Sequence, residues 1–436
     1  MIAKQVAQGA TEVECASRAT ARGWVVPTLL VVAFMVVAAA LALRAAALRD
    51  PVGHPDAVYW AFQDFRDAVY YPVVAWRAGD NPYDVSAYRS RYPVGDLFPL
   101  FTPTTLILHS PIGALPYRVA EGVYFALNVG LTLVLAALSL AIAGRRPRLS
   151  TTFGIGVLIL LSRPGHWNLM LGQPTLIIVL GVVLALGCGR TRPFTAGLGL
   201  ALAFVKPNFG MPLALLLVAM DDVGAALVGV AVTGVIGLAV SAQLAAAAGG
   251  IGPFVATLRD NATRFDAGHG VDPVTSPFRV DLPALLARCL DAAPGPAVDL
   301  VIALVVLALA AVAVRRAIRA DDRVLALGVA VLAMLVSTYH LSYDLLLLVP
   351  VVVALVVDGG GPSWRAWPRL RTAALAACAA LACNYLSTER VLSRLQPAGS
   401  LRLVILASSP VLLGMLWAVY TTVAMQAPSA RDPEHR

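Results

Sequence analysis

Four short polar stretches interrupt a chain that is otherwise mostly hydrocarbon, and each sits beside a proline or glycine that redirects the backbone. The first, "QDFRDAVYYPVVAWRAGDNPYD" at residues 63–84, gathers Asp64, Asp67, Asp80 and Asp84 with Tyr70, Tyr71, Tyr83 and Asn81. "RPGHWNLMLGQPT" carries Arg163, His166, Asn168 and Gln173. "FVKPNFG" carries Lys206, and "STYHLSYDLLLLVP" carries His340 and Asp344. A carboxylate positioned by apolar surface can take a proton from a hydroxyl group. Lys and Arg can hold a phosphate as a point charge or a planar fork.

Each stretch also has a plainer reading. Val69, Val73 and Trp76 recur at helical spacing beside Tyr70 and Tyr71, as in a helix lying at a membrane interface with an aromatic belt. Asp80, Asn81 and Pro82 after Gly79 are turn chemistry. A lone Lys at the end of an apolar run ordinarily snorkels to lipid headgroups; Lys206 is followed at once by Pro207. His340 and Asp344 share a face if the segment is helical, which suits either an oriented imidazole or a structural pair. Two such ligands without a third do not make a metal site, and no metal is expected. The "NAT" triplet at Asn261 is too short a motif to carry weight.

The elements that must position these groups are membrane helices. Of the 436 residues 59% are hydrophobic and 13% charged, with a mean hydropathy of +0.77; a soluble domain carries about twice that charge. Apolar runs lie near 25–46, 119–143, 151–162, 174–187, 194–205, 208–220, 223–247, 296–314, 324–338, 345–357, 373–386 and 401–424. They predict an all-α polytopic membrane protein with about 12 crossings in one integral domain, residues 1–436. The short runs between 151 and 220 are either crossings lengthened by polar turns or broken helices lining a cavity. After the Asp64 stretch, Pro99, Pro103, Pro111 and Pro116 break "FPLFTPTTLILHSPIGALP" into a kinked piece or a Pro-rich connection.

Charge sets the orientation. Arg145, Arg146 and Arg148; Arg190 and Arg192; Arg315, Arg316, Arg319 and Arg323; and Arg365, Arg369 and Arg371 fill alternate loops. With twelve crossings these loops share the side of the N-terminus, which makes both termini cytoplasmic, including the tail 425–436. The long segments 47–118, 248–295 and 387–400 and the four polar stretches then fall on the extracytoplasmic side of a plasma (inner) membrane. The net charge of +8 is thus a topology signal and does not indicate a nucleic-acid partner. None of the five cysteines forms a Cys-x-x-Cys pair, and no disulfide framework is expected.

The order "DF…VYY…AGDNPYD", then "FPLFTP…SPIGALP", "LGQPT", "VKPNFG" and "YHLSYDLLLLVP" resembles glycosyltransferase family 87, through most of residues 60–350. That family has a GT-C-like membrane bundle and includes actinobacterial polyprenyl-phosphate-mannose-dependent mannosyltransferases and related arabinofuranosyltransferases. The resemblance implies an acid of the first outer loop as general base. The matching position is Asp64, with Asp67 as the rival, because one extra residue separates the Asp-Phe pair from Tyr70 in this chain. The segment "YPVGDLFPLF" has Phe where relatives often carry Tyr.

A sugar on a lipid phosphate already has a weakly basic leaving group, so one carboxylate suffices, whereas glycoside hydrolases use two. The expectation is an inverting transfer from a polyprenyl-phosphate-linked sugar to a glycan or glycolipid acceptor, with membrane lipid as the surrounding partner and no cofactor. Asp64 would be the base. Lys206, His340 and Arg163 would hold the donor phosphate, and Tyr70, Asn81, Gln173 and Asp344 would orient sugar hydroxyls. The rival class is a transporter or flippase of lipid-linked sugars, which would bury its charges at the bilayer midplane and show repeated halves. No such repeat is visible in these motifs.

Overall fold

The computed structural model describes residues 2–49, 61–95, 101–266, 272–276, 278–357, 361–385 and 400–427, with side chains from 25 onward, apart from 263–266 and 400–408. Pro99 and the "LFPL" piece, most of the 387–400 loop, and 428–436 of the tail lie outside the described residues. The described chain is helical, and every predicted apolar run falls on a helix.

Four helices are long and apolar enough to cross a bilayer: Val25–Ala47 within α1 (Ile2–Ala47), α5 (Tyr117–Ile142), α11 (Val223–Ala247) and α14 (Pro296–Arg319). The other apolar runs form shorter helices: α6 (Leu149–Leu161), α8 (Thr175–Cys188), α9 (Pro193–Ala203), α10 (Pro207–Ala219), α15 (Arg323–Ser337) and α16 (Val349–Val357). Leu300, Val301, Leu304 and Val305 on α14, and Val32, Met35 and Val36 on α1, are exposed. Apolar bands of this kind are costly in water and favourable in lipid. The chain is an integral membrane protein.

The centre of the bundle is α15, whose residues Leu325 to Ser337 are all buried. A helix that is apolar all round belongs inside; α10, α14, α16 and α18 (Ser400–Gln426) pack against it. Between α8 and α9, Gly181 and Gly199 face each other so closely that a Cβ on either would stand about 2.5–2.6 Å from the other's carbonyl oxygen. Small residues at such a contact let helix backbones approach and gain dispersion contacts.

Arginines of three basic loops bond to the ends of neighbouring helices. Arg145 donates to the Val357 carbonyl at 3.3 Å, Arg190 pairs with Asp221 at 2.8 Å and Arg315 donates to the Ala219 carbonyl at 3.1 Å. Two Asp-Asp turns, 221–222 and 321–322, use one geometry: the first Asp is left-handed (φ 60° and 57°), and the second begins the next helix. This local repeat was not apparent among the chemical motifs.

The polar stretches fall at helix ends as well. They are the breaks that shorten the helices. Ser162 stops α6 and caps α7 (Arg163–Leu171) by accepting from the Gly165 N–H at 3.2 Å. A Cβ on Gly165 would meet the Ile159 carbonyl oxygen at 2.0 Å, so only glycine admits this α6–α7 turn. Lys206 is extended between α9 and α10, and Thr338–Leu341 separates α15 from a 3₁₀ helix, Ser342–Leu348.

The segment after Asp64 differs from a surface belt. Phe65–Tyr70 is a π-helical turn leading into α2 (Tyr71–Arg77), and its six residues are all buried. Phe65, Tyr70, Tyr71, Tyr117 and Tyr124 pack edge-on or tilted at 4.9–6.0 Å, with Tyr71 stacked on Tyr117. Aromatic pairs at these separations attract one another beyond the burial of their area. The Pro-broken piece is a connection of short turns, with α4 (Thr104–Leu108) begun by Pro103.

Candidate active site

Asp64 precedes the π turn and is half-buried. Its position rests on two neighbours. The Phe62 N–H donates to the Met170 carbonyl at 2.7 Å, which docks the segment onto the end of α7. Gly172 then turns the chain in the left-handed region (φ +69°), and a Cβ there would stand 2.6 Å from the Phe65 Cβ. The next residue, Gln173, is thereby held against Asp64. Its Nε2 donates to Asp64 Oδ2 and to the Tyr343 hydroxyl at 3.1 Å.

A few side chains away is a buried ionic cluster centred on Asp344, which is fully enclosed. One carboxylate oxygen accepts from Thr175 Oγ1 at 3.3 Å and pairs with Lys206 Nζ at 3.6 Å. The other pairs with His340 Nδ1 at 3.2 Å and accepts from the Leu341 N–H at 3.1 Å. Lys206 is buried among rings, with Nζ 4.9 Å from the Tyr343 ring and 5.5 Å from Phe101. Tyr343 therefore joins the two halves: its hydroxyl meets Gln173 and its face meets Lys206.

The segment carrying His340 is clamped by the second long outer loop. The Val280 N–H donates to the His340 carbonyl at 3.1 Å, and the His340 N–H donates to Asp281 Oδ2 at 3.2 Å. Asp281 also accepts two bonds from Arg279, at 2.7 and 3.0 Å, and caps α13 (Leu282–Leu290) through the Ala284 N–H. Beside this pair, the Arg279 guanidinium is held above its usual pKa: Asp281 outweighs the opposing effect of burial, which is the largest single influence. The sequence reading did not single out Arg279 or Asp281. The available signal was Asp281 two residues before Pro283, a helix start, which says nothing of docking on His340.

The predicted site residues thus divide. Asp64 and Gln173, and Lys206, His340 and Asp344, are brought into one connected set through Tyr343. Arg163 joins it at one remove, its guanidinium 4.2 Å from the Trp167 ring, which is 5.6 Å from Tyr343. Asp67 is engaged elsewhere: buried, it accepts from Arg66 at 2.6 and 3.2 Å and from the Gly95 N–H at 3.1 Å. Tyr70 spends its hydroxyl on the Leu115 carbonyl at 2.8 Å within the aromatic cluster. Asn81 accepts from the Tyr83 N–H at 3.1 Å in the turn that Asp80 and Asp84 also shape. Asn261 is buried, donating to the Tyr83 carbonyl at 2.7 Å.

The family model of glycosyltransferase family 87 matches residues 100–338, more than half of the chain. No curated protein and no solved structure matches. The matched span contains Arg163, Gln173, Thr175 and Lys206; Asp64 lies before it and His340 and Asp344 just after. On that match the chain belongs to glycosyltransferase family 87, whose members are transferases that move a sugar from a donor to an acceptor.

Proposed function

We propose that this transferase works on the extracytoplasmic face, taking mannose or arabinofuranose from a polyprenyl-phosphate donor to a cell-envelope glycolipid or polysaccharide, with inversion. The orientation rests on the positive-inside rule: the basic loops alternate with the polar stretches along the chain. A donor used on that face arrives through the membrane, as a lipid-linked sugar does.

The observation that carries the reading is the contrast in exposure among the carboxylates. Asp67, Asp281 and Asp344 are each buried and engaged by a cation. Asp64 is half-exposed at the start of the π turn, where the Gln173 amide donates to it. A base must reach the acceptor hydroxyl, accept its proton and then release it, which an enclosed carboxylate does poorly. Asp64 would take the proton of the acceptor hydroxyl as its oxygen bonds to the anomeric carbon. The carbon–oxygen bond to the donor phosphate breaks at the same time, and the phosphate departs with the electron pair. Gln173 and Tyr343 hold the base in place. Lys206, set with His340 on Asp344, and Arg163 beyond Trp167 supply positive charge on the side where the phosphate departs.

The test is transfer of labelled sugar from mannosyl- and arabinosyl-phospholipid donors by purified protein. Asp64→Asn should lose transfer while eluting as the wild type does on size exclusion. Near-wild-type transfer by that variant would remove Asp64 as the base. Should Asp67→Asn instead be the folded but inactive variant, the base belongs there.

A further inference from the structure

A cavity of about 270 Å³ lies between the C-terminal ends of α10 and α14, and it uses none of the residues given a role above. Ala219, Asp221, Arg315, Ile318 and Arg319 line it. Arg315 and Arg319 are one turn apart on α14, so their side chains share a face. The Arg315 Nε donates to the Ala219 carbonyl at 3.1 Å, which ties that guanidinium to the rim of the cavity. Among the described residues its two terminal nitrogens make no further bond, and Arg319 has no hydrogen-bond or ion-pair partner. The carboxylate of the lining, Asp221, already pairs with Arg190 at 2.8 Å. The wall thus presents two guanidinium groups with no acid left to match them. Such groups recognise phosphate through parallel N–H donors.

The depth of the cavity says what carries the phosphate. α14 has 24 residues, a length of about 36 Å at 1.5 Å per residue, against a hydrocarbon core of about 30 Å. Its charged residues are Asp299 near one end and Arg315, Arg316 and Arg319 at the other, with an uncharged run at 300–314 between them. Arg315 and Arg319 therefore stand at the level of the headgroups. Both helices that form the cavity also present hydrocarbon to the lipid. Met211, Leu215 and Val218 on α10, and Val305, Leu309 and Val312 on α14, are exposed at helical spacing. Arg319 continues the α14 stripe two turns beyond Val312, whereas Arg316 is spent on the Met425 carbonyl at 2.6 Å.

We infer that this cavity binds the headgroup phosphate of an anionic phospholipid, whose acyl chains lie along the apolar stripes of α10 and α14. This lipid is a resident of the fold and is not consumed. Two unmatched cations favour a headgroup with net negative charge over a zwitterionic one, whose own cation would face Arg315 and Arg319. A lipid seated there bridges α14 to α10, the helix that begins directly after Lys206.

The experiment offers full-length protein in detergent micelles equal amounts of phosphatidylglycerol and phosphatidylcholine, and counts retained lipid by native mass spectrometry. The wild type should retain phosphatidylglycerol in preference. Arg319→Gln should weaken that retention by roughly fivefold, and Arg315→Gln with Arg319→Gln by roughly 25-fold. Arg319→Lys keeps the charge and should keep most of the preference. So should Arg77→Gln, which removes an exposed cation of α2 outside the cavity. Should the double variant fail to fold, Arg319→Gln carries the test, because that side chain bonds to no described residue. Equal retention of the two lipids by the wild type overturns the site, as does an unchanged preference in Arg319→Gln. An equal loss in Arg77→Gln would reduce the effect to net charge and overturn it too. Glycerol phosphate displacing phosphatidylglycerol at equal concentration would make this a site for free phosphates and overturn the lipid assignment. None of these readouts depends on sugar transfer, so they are independent of the role of Asp64.

Discussion

Removing the charge of Asp344 should destabilise the protein severely, and removing Lys206 with it should restore most of the loss. Asp344 is enclosed, and its two oxygens serve Lys206, Thr175, His340 and the Leu341 N–H at 3.1–3.6 Å. Asp344→Asn keeps the shape but leaves a buried ammonium facing a neutral amide. At the 3.6 Å separation and an effective dielectric constant of about 20, the lost attraction is roughly 5 kcal/mol. Measured costs of breaking a buried pair are about 3–5 kcal/mol, much of it the uncompensated charge. Lys206→Met with Asp344→Asn removes both charges and fills the space with a flexible apolar chain, so the double variant should recover most of the stability. The assay is thermal unfolding of detergent-solubilised protein, read as the fraction still eluting as a monodisperse peak after heating. The reasoning fails if Asp344→Asn survives heating as the wild type does, or if the double variant is no more stable than the single one. Activity is a separate readout: the double variant should stay folded while transferring poorly.

Other expectations test the surrounding frame. Gly172→Ala forces a side chain into the left-handed region, at about 1–2 kcal/mol, and against Phe65; it should lower both heat resistance and turnover by moving Asp64 off Gln173. Asp281→Ala releases the His340 N–H and Arg279 together, and should reduce turnover more than donor KM in a steady-state comparison. The depressed pKa of His166, due first to burial, makes the folded state harder to protonate than the unfolded one, whose His titrates near 6.5. Its contribution is present above pH 6.5 and is lost as pH falls toward 4, so His166→Asn should flatten the stability profile in that window.

Local chemistry in the chain was enough to read the helices. Twelve apolar runs became helices because burial of hydrocarbon in lipid or core needs no partner named in advance. The basic loops were legible as helix ends for a similar reason, and Arg145, Arg190 and Arg315 each bond to the end of another helix or to the turn after it. The turn role of Asp80 and Asp84 followed from their neighbours Gly79 and Pro82, and it stands.

What lay beyond the sequence was which polar groups meet. Gln173 and Asp64 are 109 residues apart, and Asp344 reaches Thr175 across 169. The separation of Asp64 from Asp67 into a half-exposed group and a locked one depends on Gly95 and Arg66 closing around Asp67. That is decided by the buried π turn, which no periodicity announced. The clamp of Arg279 and Asp281 on His340 joins two loops whose sequences show no mutual pattern. Apolar periodicity reports only the environment each residue prefers. The pairing of charges depends on which helix ends the bundle brings within a few ångströms, and that is set by packing of the whole chain.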